Sequence, residues 1–132
     1  MKNPIRIQSI EKPDTIIKLG TGYYYYNYDI KSEKIQVANG DLVEEVDGYS
    51  YIPVRIHGQP NYKDCVTYTI RLFISADEEF SLINEFNSYQ YGQSNSYNDQ
   101  YFEYLQTVTE IKTKVQKDFE QSPSQTTSNI PR

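Results

Sequence analysis

The sequence has no tryptophan and only one cysteine, one histidine and one methionine in 132 residues. Lone Cys65 has no partner for an internal disulfide, and no C-x-x-C pair is present to hold zinc. It reads as a small buried apolar side chain. His57 has no nucleophile motif such as G-x-S-x-G beside it, so it reads as a turn or surface residue. No apolar stretch approaches the ~20 residues that cross a bilayer, and residues 1–14 lack the apolar segment of a secretion signal. Neither membrane insertion nor export is expected. The net charge is −5 and the cations form no stripe, which argues against nucleic acid as the main partner. Gly20-Thr21-Gly22 lacks the strand-to-helix context of a phosphate loop and reads as punctuation between strands.

What is present in excess is tyrosine, 14 residues of it. With Ile and Val as the main aliphatics, the composition leans toward β structure. The run Tyr23-Tyr24-Tyr25-Tyr26-Asn27-Tyr28 is the densest feature. Alternation in a strand puts Tyr24, Tyr26, Tyr28 and Ile30 on one face and Tyr23, Tyr25, Asn27 and Asp29 on the other. One face enters a core; the other shows aromatic rings outward. Tyr49 and Tyr51 fall on the matching face of a later strand. Tyr23, Tyr25, Tyr49 and Tyr51 are therefore the candidate protein interface, since rigid amphipathic rings are enriched at such surfaces. The same rings could instead form cross-strand pairs on a solvated sheet, or stack on sugars.

The length suits one domain. Short strands are expected near 4–10 and 14–19, and the tyrosine strand over about 22–31. Asn39-Gly40 reads as a type I′ hairpin turn and Asp47-Gly48 as a second one, giving a meander. Pro53 places its strand at an edge or a bulge. Residues 62–74 fit strand alternation and helical spacing alike, with Asn61 and Asp64 as a helix-start signal. Ser75-Ala76-Asp77-Glu78 is a capping box opening a helix that ends in the Gly92–Ser96 loop. A helix from Asp99 to about Phe119 carries an apolar stripe, with lysines toward its end. Residues 121–132 read as a flexible tail.

Tests for chemistry find little. Asp41, Glu44, Glu45 and Asp47 match no calcium-loop spacing and read as edge-protecting charge. Asp77, Glu78 and Glu79 are explained by the helix start. No catalytic, cofactor or metal residues are assigned, and an enzyme is not expected.

The stretch Gly58-Gln59-Pro60-Asn61-Tyr62, then Cys65-Val66, Ile70-Arg71, Ser75, Glu78-Glu79-Phe80 and Leu82-Ile83-Asn84, followed by Tyr101, Tyr104-Leu105 and Ile111 to Phe119, resembles small accessory proteins of tailed bacteriophages and prophages of gut Bacteroidetes. The resemblance covers about 22–119. It implies a helix over 62–73, a virion or assembly role near tail genes, and no catalytic residues. The expectation is an α+β domain over 1–120: an N-terminal antiparallel sheet of four to six strands (about 3–57) on two or three C-terminal helices (about 62–119). The expected function is a non-enzymatic phage structural protein. It binds other virion proteins and copies of itself, and resides in the virion and, during assembly, in the host cytoplasm. An assembly chaperone for a tail or fibre protein and a carbohydrate-binding adhesion module are the alternatives.

Overall fold

The computed structural model describes residues 1–92 and 99–121. Its elements are β1 (Ile7–Ser9), β2 (Ile16–Gly20), β3 (Tyr23–Asn39), β4 (Leu42–His57), α1 (Tyr62–Phe73), α2 (Ala76–Gln90) and α3 (Gln100–Gln121). A four-stranded antiparallel sheet is followed by three helices, the α+β architecture expected from the sequence. The loop expected over 93–96 and the tail from 122 onward lie outside the described residues.

Strand order is β1-β4-β3-β2. The expected meander of two hairpins is instead one long hairpin, β3 with β4. Its turn falls at Gly40-Asp41, because Asn39 and Leu42 are already paired. Gly40 has φ +67°, and Asp41 is not left-handed. Positive φ at the first central residue alone is the type II′ pattern, not type I′. Asp47-Gly48 makes no turn at all. Gly48 pairs with Glu33 in mid-strand, and a Cβ there would lie 2.6 Å from Ile35 Cδ1 and 2.8 Å from the Ser9 carbonyl oxygen. That glycine answers to packing.

Pro53 sits in an inner strand, yet the expectation of an open edge is met locally. β1 pairs only Tyr49 to Tyr51. Opposite Pro53, Asn27 sends its amide away from β4, to the Thr15 carbonyl at 2.8 Å. In antiparallel pairing both amides of such a pair point outward. The donor that proline lacks would have faced the unpaired side.

The face formed by Tyr26, Tyr28, Ile52, Val54 and Ile56 is buried under the helices. α1 packs on β4 and α3; α3 also packs on β3 and on α2. Residues 62–73 are helical. The Asn61 side chain caps them, accepting from the Asp64 amide at 2.8 Å. Thr69, a poor helix former, is fully buried among Cys65, Val66 and Ile70. Tertiary burial thus overrides the local strand preference of this segment. Ser75 caps α2 by accepting from the Glu78 amide at 3.1 Å. The reciprocal half of the capping box is missing: Glu78 turns instead to the Met1 amino group at 3.1 Å. α2 and α3 run antiparallel, with Phe86 stacked on Tyr101 at 4.2 Å and Glu79 bonded to Tyr104.

Candidate interaction surface

The register puts all four candidate tyrosines on the sheet face opposite the helices. Tyr23 lies across from His57, Tyr25 from Arg55, and Tyr51 and Tyr49 from Ile7 and Ser9. They do not form an open platform. β1 and β2 lie at opposite edges, so residues 10–15 must cross the sheet. They cross on this outer face: Asn27, which alternation turns outward, donates from Nδ2 to the Asp14 carbonyl at 2.8 Å and is 1% exposed. Tyr25, Tyr49 and Tyr51 are half-buried, and Tyr23 is the most open of the four at 38%. The strap was not foreseen from the sequence, because only the pairing of β1 and β2 to opposite edges requires it.

Tyr23 is also held in place. The Arg55 guanidinium lies 4.6 Å from its ring centroid, and His57 meets it edge-on at 4.8 Å. His57 sits at the end of β4 between Tyr23 and Tyr68. It is exposed, which agrees with the turn or surface position read from the sequence. Ile7 and Ile17, at 44% and 37% exposure, extend the apolar character of this face.

The acidic residues of the hairpin are divided by alternation. Glu45 and Asp47 point to the outer face and Glu44 to the other. Asp47 pairs with Lys34, and Glu44 accepts from Asn39 at 3.2 Å. Among the described residues no group of three or more His, Cys, Asp or Glu could hold a metal ion, and no helix is long and apolar enough to cross a membrane.

Beyond the tyrosine face, the hairpin forms an arm. Every residue from Ala38 to Glu45 is exposed, including Leu42 at 68% and Val43 at 67%. From Glu33 to its tip the arm runs about 20 Å at ~3.4 Å per residue. At its root is a polar junction that sequence reasoning missed. Asp29, with φ +56° at the bulge between Tyr28 and Lys31, accepts from Arg6 at 2.9 Å and pairs with Lys114 at 3.2 Å. Arg6 also reaches Ser50. One bulge thereby joins the N-terminal segment, the sheet and α3. An Asp directly after the tyrosine run was the available signal, since Asp tolerates the left-handed region.

Comparison of the chain with protein-family models, with curated proteins and with solved structures finds no match.

Proposed function

We propose that this chain is a non-enzymatic assembly component that works by protein–protein contact, and that it belongs to the particle of a tailed phage. The observation that carries the contact role is the hairpin arm, which ends in eight consecutive exposed residues with Leu42 and Val43 among them. A chain gains nothing for its own stability by extending two apolar side chains into water, whereas a partner that covers them gains ~25 cal/mol per Å². Tyr23, fixed between Arg55 and His57, offers a second rigid contact on the outer face. The particle setting rests on the resemblance of residues 22–119 to phage accessory proteins, and on nothing in the geometry. Mass spectrometry of purified particles tests it. Recovery of the chain at fixed stoichiometry is expected. Its absence from mature particles, with presence in lysates, would give the role to an assembly chaperone instead.

A further inference from the structure

We infer that the solvent side of the α2–α3 pair binds the same side of a second copy of this chain, across a two-fold axis. α2 is 15 residues long yet buries a single side chain, Leu82, because it packs chiefly on α3. Glu79, Leu82 and Phe86, three and four residues apart, form its contact face. Glu79 bonds to Tyr104 and Phe86 stacks on Tyr101. The next residue after each contact lies about 100° further round its helix. In an antiparallel pair, both rotations lead to the same side. That side carries Phe80, Ile83 and Asn87 from α2, and Phe102 and Leu105 from α3. The Phe102 ring meets Phe86 there, at 5.8 Å between centroids. α3 turns Tyr104, Ile111 and Val115 to the core, so this side faces away from it.

The surface is aromatic and free of charge. Phe80 is 67% exposed, and Tyr91, one turn beyond Asn87, is 80% exposed. Phe102, Leu105 and Ile83 are exposed as well. Between them lie exposed Asn84, Asn87, Gln106 and Thr109. The acids Glu79, Glu85, Glu103 and Glu110 fall at other positions round the two helices. Aromatic enrichment with charge depletion marks the centre of a protein interface. At ~200 Å² for an aromatic side chain, the exposed rings and aliphatics leave about 500 Å² of apolar area uncovered. Their polar neighbours bring the face near the ~800 Å² per partner of a standard interface. The chain carries −5 in all, yet none of that charge is spent here, so the face selects another that is equally uncharged and apolar. It meets that requirement itself. Because it is one patch, two copies close on it as a two-fold dimer. Two helix pairs stacked in this way form a four-helix bundle, which turns Phe80 and Phe102 into core residues.

Sedimentation equilibrium from about 1 μM to about 1 mM, at low and high salt, tests this. Mass should rise to that of a dimer and stop there, because a two-fold face is used up in closing. Each chain carries −5, so salt screens the repulsion between copies and should strengthen the dimer. Phe80→Lys should weaken it at least about tenfold and leave the melting temperature nearly unchanged. Asn84→Lys/Thr109→Lys, at exposed polar positions with no apolar contact to lose, should do the same. Leu42→Ser/Val43→Ser on the arm should leave the dimer intact. A monomer throughout overturns the proposal and leaves this side to a different partner. Growth past a dimer, a dimer indifferent to these lysines, one lost with the arm, or one dissolved by salt overturns it too. The dimer adds a contact to the assembly reading without standing on the arm, and the two fail separately. A chain found in particles yet monomeric in solution removes the dimer and leaves the assembly role standing.

Discussion

The Tyr26 hydroxyl donates a hydrogen bond to Asp118 Oδ2, tying the centre of the sheet to the end of α3. Tyr26 is fully buried. Burial drives its phenol well above the ordinary range, and the Asp118 carboxylate pushes the same way. Asp118 is itself raised. Burial is the main cause; the Tyr26 hydrogen bond opposes it and nearby Asp29 adds to it. This pair is a tether whose acid is held at a cost.

Removing either end has opposite consequences. Tyr26→Phe leaves the half-buried Asp118 carboxyl without its donor and should cost about 1–3 kcal/mol. Asp118→Asn keeps an acceptor and removes the charge. Because the folded-state pKa of Asp118 lies above its ordinary 3.8, the native chain binds this proton more tightly than the unfolded chain does. Stability therefore falls as pH rises through the window between those pKa values. Asp118→Asn should raise the urea midpoint at pH 7 and lose that advantage below pH 3.8. A lower midpoint at both pH values would contradict the charge argument.

Glu79 behaves with the other sign. Burial acts to raise it, but the Tyr104 hydroxyl and the Arg71 guanidinium, the latter at 2.7 Å, outweigh burial and hold it below the usual range. Its stabilising contribution is present above the ordinary value of 4.5 and is lost as pH falls through the folded-state pKa. Glu79→Gln should cost about 1.5–3 kcal/mol at pH 7, the range for hydrogen bonds to a charged group. Melting curves of the variant and the parent should converge as the pH drops below 4.5. A gap that stays constant would mean the loss is one of packing.

The element types were legible where the side-chain period was long and unambiguous: the tyrosine strand, α2 and α3. The two hairpin signals were read with equal weight, yet Asn39-Gly40 marks a turn and Asp47-Gly48 does not. A glycine required by backbone sign and a glycine required by a neighbour's side chain look alike in sequence. Only the pairing of Glu33 with Gly48, which sets Ile35 against it, separates them. The candidate tyrosines were placed on the right face, because alternation fixes faces. Their openness was not, because residues 10–15 cross that face for reasons of strand order. The arm was hidden for the same reason: a hairpin projects only where the helices end.

Gly48 gives a direct check on that distinction. Gly48→Ala puts a methyl 2.6 Å from Ile35 Cδ1 and 2.8 Å from the Ser9 carbonyl oxygen, an overpacking expected to cost about 1–3 kcal/mol. Ile35→Ala should lose about 2–5 kcal/mol by itself. In the double variant the two losses should be less than additive, since removing Ile35 relieves one of the two clashes. Thermal unfolding of the four chains measures the coupling. Strict additivity would show that the clash with Ile35 is not what excludes a side chain at this position.

Cys65 offers a probe of α1 opening. It is fully buried, and burial, aided by the neighbouring Asp64 carboxylate, pushes its thiol up to about 12. Since the thiolate is the reactive form, a thiol reagent at pH 8 should modify the native chain only as fast as α1 opens. One equivalent should react at once in denaturant. Rapid labelling of the native protein would show that α1 is not held on the sheet in the manner described.

The last prediction separates contact from stability on the outer face. Tyr23 is 38% exposed, and its links within the chain are the Arg55 cation and the His57 edge. Losing them in Tyr23→Ser should cost only about 0.5–1 kcal/mol. Tyr25 is half-buried between Ile17 and Arg55, so Tyr25→Ser should destabilise more. If these rings serve a partner, Tyr23→Ser should leave the melting temperature nearly unchanged while lowering incorporation into particles severalfold. Tyr25→Ser should lower both. If Tyr23→Ser assembles like the parent, the outer face makes no contact, and the hairpin arm alone must carry the interaction.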